Sequence, residues 1–306
     1  MNNKQADVSV VIPLYNHERY VVEALESVFQ QSVRPREIIV VDDGSTDRSC
    51  EMVRKHFGAA ENLVLWSKPN GGAHHAINAG IYRATSKNVA ILNSDDLYAP
   101  ERLQVCLELL AKHENADMVA TGITFVDGSG RNISNEWYRQ AYEYYLRHGD
   151  LALSLINGNF LMTTSNFVVR RTAFEKYGYF GKFRYAHDLA FLLRVLAQGG
   201  MIHVHRQPLL QYRIHDSNTI KEGVLKVKVE LAAVVAEYIV KLYHTYQDGT
   251  GIDHLNKLYS ILDAHNLSRM LFPLIAALAA RPCNHDGIDD LLADDNFTKF
   301  MLTIAK

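Results

Sequence analysis

The feature that most constrains this chain is an alternation of short apolar runs with segments whose apolar side chains recur at helical spacing. The apolar runs predict strands at 8–12, 37–41, 63–66, 89–92 and 118–121, and the segments between them predict helices at 20–29, 47–57, 73–84 and 100–113. Strands that alternate with helices in this way form a mostly parallel sheet covered by helices on both faces. The first half of the chain is therefore predicted to be an α/β domain of Rossmann-like architecture.

Two pairs of acidic residues stand directly after predicted strands. Asp42 and Asp43 follow the second strand, and Asp95 and Asp96 follow the fourth. Ligands of open parallel sheets bind beyond the carboxyl ends of the strands, where these carboxylates are expected. One carboxylate of a pair can accept hydrogen bonds from a nucleoside while another holds a divalent cation against phosphates. Each pair alone is equally compatible with a capped turn, but the two together favour a functional site.

Composition limits the remaining classes of function. The chain has 306 residues, 48% hydrophobic residues and a net charge of −2, which fits one large or two ordinary globular domains and argues against nucleic-acid binding. Its three cysteines have no metal-ligand spacing. The short polar start predicts no signal peptide, and the longest apolar stretch, 270–280, is too short for a transmembrane segment. These features together predict a cytoplasmic protein.

The second half of the chain is less regular. Aromatic residues gather in 127–159, as either a helix with a packed face or part of an acceptor-binding wall. Beyond this segment we predict a strand at 166–170, a helix at 187–198 and two short strands at 202–204 and 209–213. Helical periodicity dominates after about residue 220. We therefore predict a catalytic domain over 1–220 and a C-terminal helical region over 221–306.

Five segments in a fixed order resemble family 2 glycosyltransferases, which have the GT-A fold. They are VIPLYN at 11–16, VVDDGSTD at 40–47, NGG at 70–72 followed by AINAG at 76–80, LNSDD at 92–96, and FRYAHD at 183–188 with Arg194 downstream. The resemblance covers about residues 7–220. It implies an inverting transferase that uses a divalent cation, Mn²⁺ or Mg²⁺, and a nucleotide-diphosphate sugar, most commonly a UDP-sugar.

The resemblance also assigns roles to individual positions. It places Pro13 and Tyr15 in the nucleobase pocket, with Tyr15 packed on the base, and gives Asp43, with Asp42 beside it, hydrogen bonds from that base. It assigns Asp95 to the ribose, Asp96 to the metal, and Gly72 and Asn78 to the donor site. Asp188 matches the catalytic base, which would take the proton of the acceptor hydroxyl. A second interpretation makes Asp188 the N-cap of its helix.

Two positions depart from the family pattern. A carboxylate often stands two positions before the last Asp of the metal motif, where this chain has Ser94, so the ligand set stays open. The residue before the base is often acidic, whereas here it is His187, which either tunes Asp188, contacts the acceptor or is a surface histidine.

The segment Tyr212–Thr219 ends the predicted catalytic domain and contains a YRxH pattern found at this point in related glycosyltransferases. His215 is a candidate metal ligand or diphosphate contact, and Arg213 a candidate phosphate contact. Both also have a structural interpretation.

The segment around Gly71-Gly72 suits close approach of the backbone to a ligand and an anion at a helix N-terminus. Lys68, His74 and His75 are candidate contacts of a diphosphate. The segment lacks the phosphate-loop and dinucleotide-binding patterns.

Two other functions compete with glycosyl transfer. A sugar-1-phosphate nucleotidyltransferase usually carries a glycine-rich basic loop after the first strand, and PLYNH at 13–17 has no glycine. A catalytically silent nucleotide-sugar binding or scaffold protein is disfavoured by the intact carboxylates. The expected partners are a nucleotide-diphosphate sugar and a glycan or lipid-linked acceptor. Peripheral contact with the inner face of a membrane and the oligomeric state stay open.

Overall fold

The structure is a computed structural model that describes residues 5–216, 218, 223–245, 252–280 and 287–305. The chain forms two compact units. The first contains Met1–Ser134, Leu161–Phe180 and Gly200–His215, and the second contains Asn135–Phe160, Gly181–Gly199 and Asp216–Lys306. Two segments of the predicted 1–220 domain, 135–160 and 181–199, therefore group with the C-terminal helices, and the predicted boundary falls near one change of unit, at 215/216.

The first unit is built on one mixed sheet. Its strands are β1 (Gln5–Leu14), β2 (Arg34–Asp42), β3 (Leu63–Ser67), β4 (Asn88–Ile91), β5 (Leu97–Tyr98), β6 (Met118–Asp127), β7 (Asn132–Ile133), β8 (Val168–Arg170) and β9 (Ile202–Ile214). The order is β3-β2-β1-β4-β8-β6-β9-β5, and β7 pairs with β6. Strands β3, β2, β1 and β4 are parallel, whereas β8 is antiparallel to both of its neighbours. The predicted, mostly parallel α/β architecture is confirmed.

The helices follow the strands in the first half and dominate the second. They are α1 (Val21–Phe29), α2 (Ser49–Phe57), α3 (Ala73–Arg83), α4 (Arg102–Lys112), α5 (Glu136–His148), α6 (Leu151–Asn157), α7 (Arg171–Tyr177), α8 (His187–Ala197), α9 (Val224–Thr245), α10 (Ile252–Ala264), α11 (Ser268–Ala279), α12 (Gly287–Ala293) and α13 (Asp295–Ile304). A short 3₁₀ helix covers Thr164–Asn166. Helices α1 to α4 and α7 belong to the first unit and the others to the second.

The core of the first unit lies on both faces of β1. Successive residues Val10, Val11 and Ile12 have no exposed surface, so helices cover both faces of this strand. Helix α3 approaches β1 closely at Gly80, where an added Cβ would lie 2.3 Å from Val11 Cγ1. A residue without a side chain is needed at this contact because there is no room for a methyl group.

The two strands predicted at 202–204 and 209–213 are one strand, β9. It runs parallel to β6 from Ile202 to Ile214, with irregular register on both sides of Gly122. A Cβ on Gly122 would lie 2.7 Å from the carbonyl oxygen of Arg206. Because glycine has no Cβ, the polar residues 206–207 fit beside it as a bulge, and the pairing of β9 with β6 continues beyond them. The prediction was wrong because a bulge of this kind depends on the partner strand.

The aromatic segment of the second unit contains α5 and α6. Tyr142 and Tyr145 pack on Phe160, and their ring centroids lie 5.3 and 4.8 Å, respectively, from the centroid of the Phe160 ring. Trp137 on the same helix is 51% exposed. The interpretation as a helix with a packed aromatic face fits this arrangement.

The remaining helices of the second unit pack around α9, which contacts α8, α11, α12 and α13. Residues Ala232 to Ala236 of α9 are buried. Within the described ranges, no helix is both long enough and apolar enough to cross a membrane.

Candidate functional site

The first acidic pair lies at the end of β2 and organises the neighbouring loops. Asp43 accepts hydrogen bonds from the backbone N–H groups of Gly71, at 3.0 Å, and Gly72, at 2.8 Å. It also pairs with the buried ammonium group of Lys68, which donates to the carbonyl oxygen of Pro69 as well. Both carboxylate oxygens of Asp43 serve this loop, and its predicted hydrogen bond with a nucleobase stays a prediction. The ammonium group of Lys68, a candidate contact of a diphosphate, forms an ion pair with Asp43 in this structure.

Asp42 is buried and accepts a hydrogen bond from the backbone N–H of Ser45 at 3.0 Å. Burial acts to raise the pKa of its carboxyl group, but hydrogen bonds with Ser45, Cys50 and Ser67 lower the pKa overall. Asp42 is therefore ionised at neutral pH. It is the member of this pair whose chemistry suits a hydrogen bond from a nucleobase N–H.

The turn after β1 carries the next predicted residues. Pro13 is buried in β1. Tyr15 is the first residue after this strand, and its side chain is 47% exposed. Asn16 has a positive φ of 53° and accepts a hydrogen bond from the backbone N–H of Thr46 at 2.8 Å. This turn presents the ring of Tyr15 at the carboxyl edge of the sheet, and its contact with a nucleobase stays a prediction.

Two residues predicted to lie at the donor site, Gly72 and Asn78, have different surroundings in this structure. Gly72 is the N-cap of α3 with φ of 90°, a conformation that favours glycine. Asn78 instead forms two hydrogen bonds with the backbone of Phe180, donating at 2.8 Å and accepting at 3.0 Å. The amide of Asn78 thus joins α3 to Phe180, and its predicted contact with the donor stays a prediction.

The second acidic pair lies beyond β4, where Asp95 meets two histidines. His215 Nε2 hydrogen bonds with Asp95 Oδ2 at 3.0 Å, and His17 Nε2 is 3.9 Å from the same oxygen. One ligand atom from each of His17, Asp95 and His215 lies within 4.8 Å of the others. Burial acts to raise the pKa of Asp95, but the hydrogen bond from His215 and the nearby imidazoles lower it overall. An ionised carboxylate and two imidazoles converge here, and such a set can hold a divalent cation.

Asp96 faces the other way, into the protein. It accepts a hydrogen bond from Ser165 Oγ at 2.6 Å and another from the backbone N–H of Arg213 at 2.9 Å. Burial and the charge of Asp95 raise its pKa well above the ordinary value. In this structure Asp95, and not Asp96, points at the histidines. The roles of Asp96 at the metal and of Asp95 at the ribose stay predictions.

Arg213 supports the loop that carries Asp95 and Asp96. Its side chain is buried and donates to the carbonyl oxygen of Asp95 at 2.9 Å, to that of Asp127 at 3.3 Å and to Glu23 Oε2 at 2.6 Å. Its guanidinium also lies over the ring of Tyr20, 5.1 Å from the centroid. The guanidinium of Arg213 thus serves Asp95, Asp127 and Glu23, and its phosphate contact stays a prediction.

His17 is the functional candidate that sequence reasoning did not single out. It follows β1 in the same turn as Tyr15, and its Nδ1 lies 2.8 Å from Ser94 Oγ. Its ring also contacts that of His215 edge to face, with centroids 5.8 Å apart. The signal in the sequence was its place at a strand end beside a predicted pocket residue.

Asp188 belongs to the second unit and lies in the first turn of α8. Its Oδ1 accepts from the backbone N–H of Leu189 at 2.7 Å, and its Oδ2 accepts from Asn159 Nδ2 at 3.0 Å. The N-cap of α8 is Ala186, so the alternative in which Asp188 caps the helix does not hold. Burial raises the pKa of Asp188 to about 6. A carboxyl group with this pKa is ionised at neutral pH and still basic enough to accept a proton.

His187 precedes Asp188 and is half-buried. Burial lowers its pKa to about 4, so its imidazole is neutral at physiological pH. It therefore places no positive charge beside Asp188.

Comparison with known proteins identifies the family of this chain. Residues 9–178 match the family described as Glycosyl transferase family 2. An uncharacterized glycosyltransferase of Rickettsia typhi is 28% identical over 77% of this chain and 72% of its own length. The hyaluronan synthase of Pasteurella multocida is 33% identical over 44% of this chain, but the match spans only 14% of that enzyme.

The fold has solved counterparts. The crystal structure of Staphylococcus aureus TarS 1–349 in complex with UDP-GlcNAc matches with a TM-score of 0.60 and 18% identity, covering 97% of this chain and 90% of that one. The family match over residues 9–178 covers more than half of the chain and includes the first four of the five motifs. The chain therefore belongs to glycosyl transferase family 2 and is a glycosyltransferase with the GT-A fold.

Proposed function

We propose that this protein transfers a sugar, with inversion, from a UDP-sugar to an acceptor hydroxyl in the synthesis of a polysaccharide or another glycan. The observation that carries the proposal is the convergence of His17, Asp95 and His215 at the carboxyl edge of the sheet. We also retain the predicted catalytic region at 1–220 and the C-terminal helical region at 221–306 as a working division of the chain.

The proposed donor is a uridine nucleotide because of the groups at the ends of β1 and β2. Tyr15 supplies an exposed ring for stacking on a base, and ionised Asp42 is an acceptor for an N–H of the base. Names of similar proteins agree with this choice, since the TarS structure contains UDP-GlcNAc. The hyaluronan and chondroitin synthases among the relatives suggest a polysaccharide as the acceptor or product.

The three convergent side chains fit a divalent cation in their chemistry. Imidazole ligands favour borderline metals, whereas Mg²⁺ prefers a set made of oxygen atoms. A site with two imidazoles and one carboxylate therefore favours Mn²⁺ over Mg²⁺. When bound, such a cation would offset the negative charge of the departing diphosphate.

Asp188 is the proposed general base. The acceptor oxygen attacks the anomeric carbon opposite the nucleoside diphosphate, whose bond to that carbon breaks as the new bond forms. The hydroxyl proton passes to the Asp188 carboxylate, so no covalent sugar–enzyme intermediate is needed. Asn159 orients this carboxylate through its hydrogen bond to Oδ2.

A screen of donors tests the proposal. Thermal unfolding of the protein is followed with UDP, GDP and dTDP and their common sugar derivatives, each with Mn²⁺, with Mg²⁺ and with a chelator. We expect stabilisation by uridine nucleotides that is largest with Mn²⁺, because a ligand that binds only the folded state raises the unfolding temperature. UDP release and the anomeric configuration of the product are then measured with the best donor. Binding without any release would favour the silent nucleotide-sugar binding protein, and a product of retained configuration would contradict inversion.

A further inference from the structure

Glu230 makes an unusual set of contacts with the segment that precedes Asp188. Its carboxylate accepts hydrogen bonds from three successive backbone N–H groups: Arg184 at 2.9 Å, Tyr185 at 2.7 Å and Ala186 at 3.0 Å. Glu230 lies on α9, which follows α8 along the chain and packs against it. A side chain from the C-terminal helices therefore binds the backbone immediately before the proposed base.

These contacts lie directly before helix α8 and end at its N-cap residue, Ala186. Helix α8 begins at His187, and its N-cap, Ala186, has no side-chain hydrogen bond to offer the first turn. The N–H groups at a helix N-terminus have no partner within the helix, and a carboxylate there also interacts favourably with the helix dipole. Glu230 supplies that carboxylate from a neighbouring helix, so the start of α8 is tied to α9.

Part of this segment borders a cavity. Arg184 and Tyr185 border a cavity of about 480 Å³, together with Glu230 and with Lys226, Val229, Leu292, Thr298 and Leu302. A segment with a cavity on one side loses van der Waals contacts there. The three hydrogen bonds to Glu230 therefore restrain the backbone at 184–186 on the side where packing is incomplete.

We propose that Glu230 is a positioning residue that holds the backbone at 184–186 and thereby orients the Asp188 carboxylate for proton transfer. This inference rests on the proposed role of Asp188 as the base. It gives α9 a part in the reaction although α9 lies outside the segments that resemble the family. It also predicts that Glu230 affects the chemical step more than it affects binding of the donor.

The test compares Glu230→Gln with Glu114→Gln, which makes the same change at an exposed site on the first unit. Gln keeps the size of the side chain but puts an amide donor where carboxylate oxygens now accept. Hydrogen exchange of the amides at 184–186 is measured first, because it reports the contact without an assay of activity. We expect exchange there to be at least about tenfold faster in Glu230→Gln, with unchanged exchange in β1 and β2.

Kinetics with the donor found by the screen complete the test. We expect kcat for UDP release to fall by about 10- to 100-fold in Glu230→Gln, because small misplacements of a reacting group have effects of this size. KM for the donor and the affinity for UDP with Mn²⁺ should stay within about twofold, and the acid limb of the pH profile should move. Glu114→Gln should match the wild type in every measurement.

Two results would overturn the proposal. Unchanged amide exchange at 184–186 in Glu230→Gln would show that the contact does not restrain this backbone. A parallel loss of donor affinity and kcat would show a general structural role. Glu230→Asp, which keeps the charge with a shorter side chain, should give an intermediate kcat and serves if Glu230→Gln does not fold. If the wild type releases UDP from no donor, the proposed function fails, and amide exchange still decides whether Glu230 restrains the segment.

Discussion

At the scale of single residues, neighbouring carboxyl groups differ because their partners differ. Asp95 points at His215, whereas the next residue, Asp96, points at Ser165 and the backbone of Arg213. The sequence showed that two carboxylates stand at this strand end, but it could not show which one faces the pocket. That choice depends on residues about 70 and 120 positions away. The same limit applies to Asn78, whose partner is the backbone of Phe180.

Asp188→Asn tests the proposed base directly. Asn has nearly the same shape but cannot accept the proton at neutral pH, so we expect kcat to fall by about 10²- to 10⁴-fold. Affinity for UDP in the presence of Mn²⁺ should be unchanged when measured by calorimetry. Normal sugar transfer by this variant would remove Asp188 from the mechanism. Asp290→Asn, at an exposed position on α12, is the matched control.

Asp188 should also affect how the stability of the protein depends on pH. Burial raises the pKa of Asp188 from 3.8 to about 6, so the folded state binds a proton more tightly than the unfolded chain. The contribution of Asp188 to the stability of the wild type should therefore fall as the pH rises between about 4 and 6, by up to about 3 kcal/mol. Asp188→Asn removes this contribution, so its stability relative to the wild type should increase over that window. Urea unfolding at pH 4 and pH 7.5 measures the effect, and an equal difference at both values would contradict a raised pKa.

At the scale of elements, the alternation of apolar runs and helical periods located β1 to β4 and α1 to α4 well. The buried side chains of those elements recur at regular strand or helix spacing, which can be recognised in the local sequence. The short strand β5 and helix α7 were not predicted, since segments of 2 and 7 residues carry little periodic signal. Strand β9 was split because its polar middle fits only through the bulge at Gly122.

The approach of α3 to β1 should tolerate no larger residue at Gly80. A Cβ there would lie 2.3 Å from Val11 Cγ1, so Gly80→Ala must displace the helix or the strand. We expect a loss of about 1–3 kcal/mol in the free energy of unfolding, as for other overpacked cores. Gly223→Ala, whose Cβ would reach nothing closer than 4.0 Å, should change it by less than about 0.5 kcal/mol. Equal denaturation midpoints for the two variants would refute the close contact.

At the scale of the whole molecule, the family resemblance predicted the fold and the class of enzyme, and both are confirmed. The linear domain boundary near residue 220 stays a prediction, but the compact units follow a different division. The segments 135–160 and 181–199 group with helices far along the chain, which a left-to-right search for composition changes does not detect.

This division predicts that residues 1–220 do not make a stable protein alone. Removing α9 exposes the face of α8 that packs on it and deletes Glu230, which holds the residues before Asp188. We expect the truncated chain to aggregate or to unfold at a clearly lower temperature than the full chain. Size-exclusion chromatography and circular dichroism check this. A monomeric truncated chain with an unchanged unfolding temperature would show that the catalytic region is independent of the C-terminal helices.

The most direct test of the proposed metal site is calorimetric titration of UDP into the wild type and into Asp95→Asn and His215→Ala, with Mn²⁺ and with a chelator. His56→Ala, an exposed histidine on α2, is the control. We predict that Mn²⁺ strengthens UDP binding by at least about tenfold, or 1.4 kcal/mol, in the wild type and the control. Both site variants should lose this gain. Equal affinity for UDP with Mn²⁺ and with chelator in the wild type would contradict a metal site formed by His17, Asp95 and His215.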